Sequence, residues 1–220
     1  MVLTFPPAAT MSTREARSRI DGRLPQAVRL WIDGVGCWLV WLPERMTIGG
    51  PAVVGRSGAA DLPLLADLQR VHATIERGDE QYRLASHGPA SINGLAIEGE
   101  ASLRSGDEIA LNDNVRLELT IPTQLSNTAR LVCTSGHRPE QRIDGVVLLE
   151  QMCQLGPQDD HHIVCPRAES SFVLFKKGEA LWCRSSQEWT LQGRSVSGAA
   201  PLEHGALVAT ESLSFRLEIA

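Results

Sequence analysis

The chain is 220 residues long and carries a formal net charge of −5, with 43% hydrophobic and 21% charged residues, which excludes a disordered chain and leaves room for one large domain or two of about 100 residues. No basic stripe is present, the longest basic run being Lys176-Lys177, so no nucleic-acid partner is expected. No run approaches the roughly 18 apolar residues of a spanning helix, so no membrane partner is expected either.

Residues 1–25 hold Pro6-Pro7, several Ser and Thr, and arginines from Arg14 to Arg23. Ser12 with Glu15 three residues on has the form of a helix N-cap, but apolar periodicity is weak and the stretch reads as a flexible tail. Met1 to Pro7 has neither the charged start nor the apolar run of a signal peptide. A cytoplasmic protein of bacterial style is the expectation.

From Ala27 onward, apolar runs of a few residues recur between Gly, Pro, Asp and Asn: Val28–Ile32, Cys37–Trp41 and Val115–Ile121 are examples. Alternation and short spacing predict many short strands, hence an all-β sandwich or barrel. The five cysteines (Cys37, Cys133, Cys153, Cys165, Cys183) are odd in number and none forms a C-x-x-C pair, which argues against a disulfide framework and a zinc ribbon. His161-His162 and Cys165 lack the second ligand pair that a four-coordinate site needs. No metal and no cofactor is expected, and the cysteines read as small apolar strand residues.

The two halves repeat. His72–Tyr82 lies over Phe172–Trp182 at a shift of 100, and each has an apolar strand, a charged-Gly-acid turn and an aromatic-bearing strand. Gly94, Gly99, Leu103 and Gly106 match Gly193, Gly198, Leu202 and Gly205 at a shift of 99, and Arg116–Leu119 matches Arg216–Ile219 at 100. Three blocks in order at near-constant spacing indicate a duplicated domain. Pro, Gln, Ser and Asn cluster at 122–127, which predicts one domain over 26–124 and a second over 127–220.

The first half carries loop signatures in a fixed order: Gly55-Arg56-Ser57, then Gln69-Arg70-Val71-His72, then Ser91-Ile92-Asn93-Gly94, then a Gly99 turn and a Gly106-Asp107 turn. Singly, each has a plain structural reading: a turn beside a solvated Arg, a buried histidine, an Asn-Gly hairpin turn. As an ordered set they resemble the forkhead-associated (FHA) domain over about residues 27–122, and weakly over 128–220 through the repeat. The resemblance implies an eleven-strand sandwich whose loops at one end bind phosphothreonine. It places phosphate ligands at Arg56, Gln69, Arg70 and the Ser91–Ile92–Asn93 loop, with Asn93 holding the ligand's backbone. Gly55, His72 and Gly94 brace the loops. The chemistry is apt, since a phosphothreonine brings nearly two negative charges and three acceptor oxygens to two guanidinium groups. Gln69 stands where the family has Ser, and Ile92 where it has a polar residue.

In the second half Gly156-Pro157 lies at a shift of 101 from Gly55-Arg56, while Glu169, Ser170 and Phe172 stand for Gln69, Arg70 and His72, and Gln192 for Asn93. A carboxylate at the phosphate position repels a dianion, so this half reads as a degenerate copy. The function expected is a non-enzymatic module that binds a phosphorylated protein or peptide in a Ser/Thr kinase pathway. The alternative is a phosphate-independent scaffold or assembly subunit. A Ser91, His87 and Asp79 set is the best hydrolase arrangement the sequence offers, and no nucleophile elbow accompanies it.

Overall fold

The computed structural model describes residues 24–51, 60–78 and 81–220, so the tail expected at 1–25 lies outside them save for its last two residues. All regular structure among the described residues is β-strand, as the alternation predicts. A hairpin opens the chain, β1 (Ala27–Ile32) and β2 (Gly36–Trp41). Then come β3 (Arg45–Gly49), β4 (Leu62–Pro63), β5 (Ala73–Arg77), β6 (Tyr82–Ser86), β7 (Ala90–Ile92), β8 (Leu95–Ala96), β9 (Glu100–Leu103), β10 (Asp107–Leu111) and β11 (Val115–Thr120). A second hairpin, β12 (Ala129–Cys133) and β13 (Gly145–Leu148), precedes β14 (Met152–Gly156), β15 (Ile163–Val164), β16 (Phe172–Lys177) and β17 (Ala180–Ser185). The chain closes with β18 (Trp189–Leu191), β19 (Arg194–Val196), β20 (Ala199–Leu202), β21 (Leu207–Ala209) and β22 (Ser214–Ile219).

These strands form one twelve-stranded sheet, ordered β19-β18-β21-β22-β1-β2-β13-β12-β11-β10-β7-β8, and two five-stranded sheets, β4-β3-β5-β6-β9 and β15-β14-β16-β17-β20. The small sheets cover opposite faces of the large one. In β2, Cys37, Leu39 and Trp41 enter the core under β3 and β5, while Val40 enters the core under β14 and β16. In β13, Val146 and Leu148 face the first core and Val147 faces the second. β2 and β13 therefore sit at the centre, paired in parallel and apolar on both faces. Their sequences show it: Cys37–Trp41 and Val146–Leu149 are near-continuous apolar runs, the pattern of strands buried on two sides. Outer strands such as β11, buried at every second residue, keep simple alternation.

The repeat is visible strand by strand. β3–β11 and β14–β22 have the same order in their sheets, and the hairpin β12–β13 corresponds to β1–β2. Yet β11 pairs with β12, and β22 pairs with β1. The hairpin that starts each repeat thus completes the sheet of the other. The sequence repeat divides at 122–127; the strand pairing crosses that point in both directions. The junction is packed rather than loose. Tyr82 Oη donates to the Asn127 carbonyl at 2.7 Å, Thr128 Oγ1 accepts from the Glu150 amide at 2.9 Å, and Arg77 Nη1 donates to the Leu149 carbonyl at 2.8 Å. Burial raises the Tyr82 phenol to about 12, which keeps it a donor.

His162 sits fully buried beneath the second half, its Nδ1 accepting from the Gln154 amide at 3.1 Å. Burial, with the neighbouring His161, lowers it from 6.5 to about 4. The unfolded chain therefore takes up this proton first. Stability is intact above about pH 6.5 and falls as the pH drops toward 4, at about 1.4 kcal/mol per pH unit from this group. Urea unfolding at pH 7.5 and pH 5 should show His162→Gln losing about 2 kcal/mol less than the unsubstituted chain. An equal loss in both would remove His162 as the cause.

Candidate functional site

Three connections of the first half meet at one end of the sandwich. The first, 50–61, leaves β3 and returns as β4, and it carries Gly55 and Arg56, which lie outside the described residues. Its two ends are fixed. The Gly50 amide donates to the Gln69 carbonyl at 2.8 Å, and Asp61 accepts from both the amide and the hydroxyl of Thr47, at 2.8 and 2.7 Å. A Cβ on Gly49 would strike the Arg70 carbonyl, so only glycine lets β3 pass this close to the second connection. That connection, 64–72, presents Gln69 and Arg70 at the surface.

The third connection, 87–89, is tied to the second by His72. This ring is fully buried. It accepts at Nδ1 from the Gln69 amide, 3.3 Å away, and donates from Nε2 to the Pro89 carbonyl at 2.9 Å. Gly88 lies flat on the imidazole, where any Cβ would collide with the ring. Asn112, in the turn after β10, donates its amide N–H to the same Pro89 carbonyl at 2.9 Å and its side-chain Nδ2 to the Asp67 carbonyl at 2.6 Å. His72 and Asn112 thus lock 64–72 against 87–89, and the polar tips of both loops stay outside. A rigid frame with exposed Gln69, Arg70 and His87 is suited to an anionic ligand, because the donors need little ordering on binding.

Ser91, Ile92 and Asn93 are not brought to this end. Ser91 and Ile92 belong to β7, and Asn93-Gly94 is the two-residue turn into β8, with φ of 52° and 79°. These angles are those of a type I′ hairpin turn, which Asn-Gly favours. The Asn93 amide is used on both sides: Nδ2 donates to Asp107 Oδ1 at 2.8 Å and Oδ1 accepts from the Glu108 amide at 3.0 Å. That fastens the β7–β8 turn to the β9–β10 turn, at the opposite end of β7 from Pro89. Here the hairpin reading of Asn93-Gly94 describes the molecule. The loop that lies against His72 at the other end is Ser86-His87-Gly88. It carries no strong local signal apart from Gly88-Pro89. His87 Nε2 lies 3.0 Å from Thr74 Oγ1 and is not engaged with Ser91.

The second half lacks the first connection. β14 pairs with β15 as Gly156↔Val164, just as β3 pairs with β4 as Gly49↔Pro63. Gly156 therefore corresponds to Gly49 rather than Gly55, and 157–162 replaces 50–61. The segment that holds Arg56 has no counterpart, so Pro157 is not its equivalent. Phe172 faces Leu155 as Ala73 faces Ile48, so the His72 position falls on Ser171 rather than on Phe172, which stacks edge-on against Trp189 and Phe215 in the core, with centroids 5.8 and 5.5 Å away. Gln192-Gly193 repeats the Asn93-Gly94 turn, with Gln192 Nε2 donating to the Gly205 carbonyl at 2.9 Å. Counted back from the pairing of Phe172 with Leu155, Glu169 falls at the position of Arg70. His161 and His162 accept from the Gln158 and Gln154 amides, and burial raises the Cys165 thiol to about 11. Among the described residues, no three metal-ligating side chains gather at one point.

No protein-family model matches the chain, and no curated protein sequence does. Solved structures do. The Mycobacterium tuberculosis EmbR structure in complex with a low-affinity phosphopeptide is 17% identical over 40% of this chain and 22% of that one, with a TM-score of 0.28. The chain thus spans less than a quarter of that protein. The Rv0020c FHA structure is 25% identical over 39% of this chain and 84% of that chain, TM-score 0.27. The N-terminal FHA domain of EssC, a component of the bacterial type VII secretion apparatus, is 14% identical over 87% of this chain and 92% of that one, TM-score 0.24.

Proposed function

We propose that the chain is a non-enzymatic interaction module that binds phosphothreonine-containing segments of partner proteins through the first half, in pathways that use Ser/Thr kinases. The observation that carries this reading is the meeting of three connections at one end of the sandwich, with His72 bonded to both Gln69 and Pro89. Arg70 and Gln69 sit on one of these connections and Arg56 on another. The phosphate ligands in this reading are Arg56, Arg70, Gln69 and the 86–88 loop, which takes the place first given to 91–93. Two guanidinium groups supply charge-assisted bonds to a phosphate dianion. The second half, without the 50–61 connection and with Glu169 in place, serves as a packing partner. The direct test is fluorescence anisotropy of the intact chain with a degenerate phosphothreonine peptide library and its unphosphorylated counterpart.

Within this reading, Gln69→Ser is expected to raise affinity for phosphothreonine peptides. The shorter side chain relieves crowding and offers a hydroxyl donor, worth about 0.5–1.5 kcal/mol, or roughly three- to tenfold. Titration of one labelled peptide against both proteins reads the change. Weaker binding by Gln69→Ser would instead make Gln69 itself a ligand.

A further inference from the structure

The solvent faces of the two small sheets differ in kind. Across β3-β5-β6-β9 the outward row in register is Arg45, Glu76, Arg83 and Ser102, all exposed. The same row across β14-β16-β17-β20 is Met152, Phe175, Trp182 and Pro201. One fold thus appears twice in one chain, once with a charged row and once with an apolar one. The first copy shows that the sandwich does not need aromatic residues on its outside. In this row Met152, Phe175 and Trp182 are half-buried and Pro201 is exposed, and cations flank it. Lys177 Nζ lies 4.5 Å over the Trp182 ring, and the Arg184 guanidinium is 5.8 Å from the Phe175 centroid. A shallow cleft of about 250 Å³ runs between Met152, Val173, Phe175 and Arg184. The outward positions of β14, β16, β17 and β20 include no carboxylate, although the chain as a whole carries −5.

We propose that this face docks a partner protein through a segment that presents apolar side chains flanked by carboxylates. The aromatic row supplies area that is rigid and inexpensive to order, as at the centres of interfaces. Lys177 and Arg184 supply the charge that selects an acidic partner. A second copy of the chain is the poorer occupant, because a two-fold contact sets the same patch on itself and brings cations against cations. The face lies on the second half, and its use does not depend on the phosphate loops of the first.

The test uses the intact chain and two fluorescein-labelled amphipathic peptides, one with leucine on one face and glutamate on the other, the second with lysine in place of glutamate. The glutamate peptide should bind at least tenfold more tightly. A row variant, Met152→Arg, Phe175→Glu, Trp182→Arg and Pro201→Ser, installs the residues that the first sheet carries in the same register, and should lose at least tenfold. Lys177→Glu with Arg184→Glu leaves the apolar row in place and should reverse the preference between the peptides, which keeps the test valid if the row variant folds poorly. Binding of phosphothreonine peptide should be equal in all three proteins. Equal affinity for the two peptides, an unchanged preference after charge reversal, tighter binding of a single-stranded oligonucleotide than of either peptide, or a dimer in sedimentation that the row variant dissolves would each overturn the proposal. Failure of phosphothreonine binding alone would strike the reading of the loops and leave this one standing.

Discussion

Deleting residues 24–42 is expected to abolish cooperative folding of β14–β22. The hairpin supplies Val28, Leu30, Ile32, Val40 and Leu42 to the second core, and Cys37, Leu39 and Trp41 to the first. Burying a large aliphatic or aromatic side chain contributes about 1.5–3 kcal/mol, so the sum lost rivals the 5–15 kcal/mol or so of a whole domain's net stability. The deletion also strips β22 of its partner along Val28–Ile32 and β13 of its partner along Trp38–Trp41. The buried Trp189 reports on the second core, and its fluorescence should show no urea transition in the deleted chain. Two fragments sharpen the point. Residues 43–149 keep β3–β13 with the first core's Leu131, Val146 and Leu148, and should unfold cooperatively. Residues 26–124, cut at the sequence repeat, lose those side chains and bare the second-core face of β1, and should be less stable by several kcal/mol. The reverse order of stabilities would mean that each repeat closes on its own hairpin.

Arg56→Ala is expected to weaken phosphothreonine-peptide binding by about 10- to 150-fold, the equivalent of a charge-assisted bond worth about 1.5–3 kcal/mol, with little change in stability. Asn93→Ala should do the opposite. It removes the bonds to Asp107 and to the Glu108 amide and leaves a non-glycine residue at φ 52° without the side chain that favours it. A loss of about 1–3 kcal/mol in urea unfolding is expected, with peptide affinity unchanged. Anisotropy titrations and urea curves on the two variants separate a ligand from a turn residue. Binding lost in Asn93→Ala and retained in Arg56→Ala would place the site at the other end of β7.

The all-β fold, the short strands and the duplication were legible because they rest on local pattern: alternation in β11 and β22, Asn-Gly and Gln-Gly turns, and blocks repeated at shifts of 99–100. Even the doubly buried centre was written in the unbroken apolar runs of β2 and β13. The exchange of hairpins was not legible. β1–β2 and β12–β13 are copies of one element, so either can complete either half by pattern alone, and the choice rests on pairing between residues as far apart as Val28 and Ile219. The frame of the candidate site was legible only in part. Gln69, Arg70 and His72 share one connection, with His72 buried and the other two exposed. Asn93-Gly94 has two readings because one dipeptide serves two purposes, and the structure puts it in a hairpin turn; the 86–88 loop beside His72 is marked by a glycine that yields to a histidine ring rather than by a ligand type. The apolar row on the second small sheet escaped notice because Met152, Phe175, Trp182 and Pro201 are neighbours only through register.

The central claim is that the first half reads phosphate on a threonine. The most direct measurement is calorimetric titration of the intact chain with a matched pair of peptides that differ only in the phosphate, repeated with Arg56→Ala and Arg70→Ala together. The account predicts binding of the phosphorylated peptide, none of the plain one, and loss of the signal in the double variant whose urea curve is unchanged. Equal affinity for both peptides, or phosphopeptide binding that survives the loss of both arginines, would contradict it.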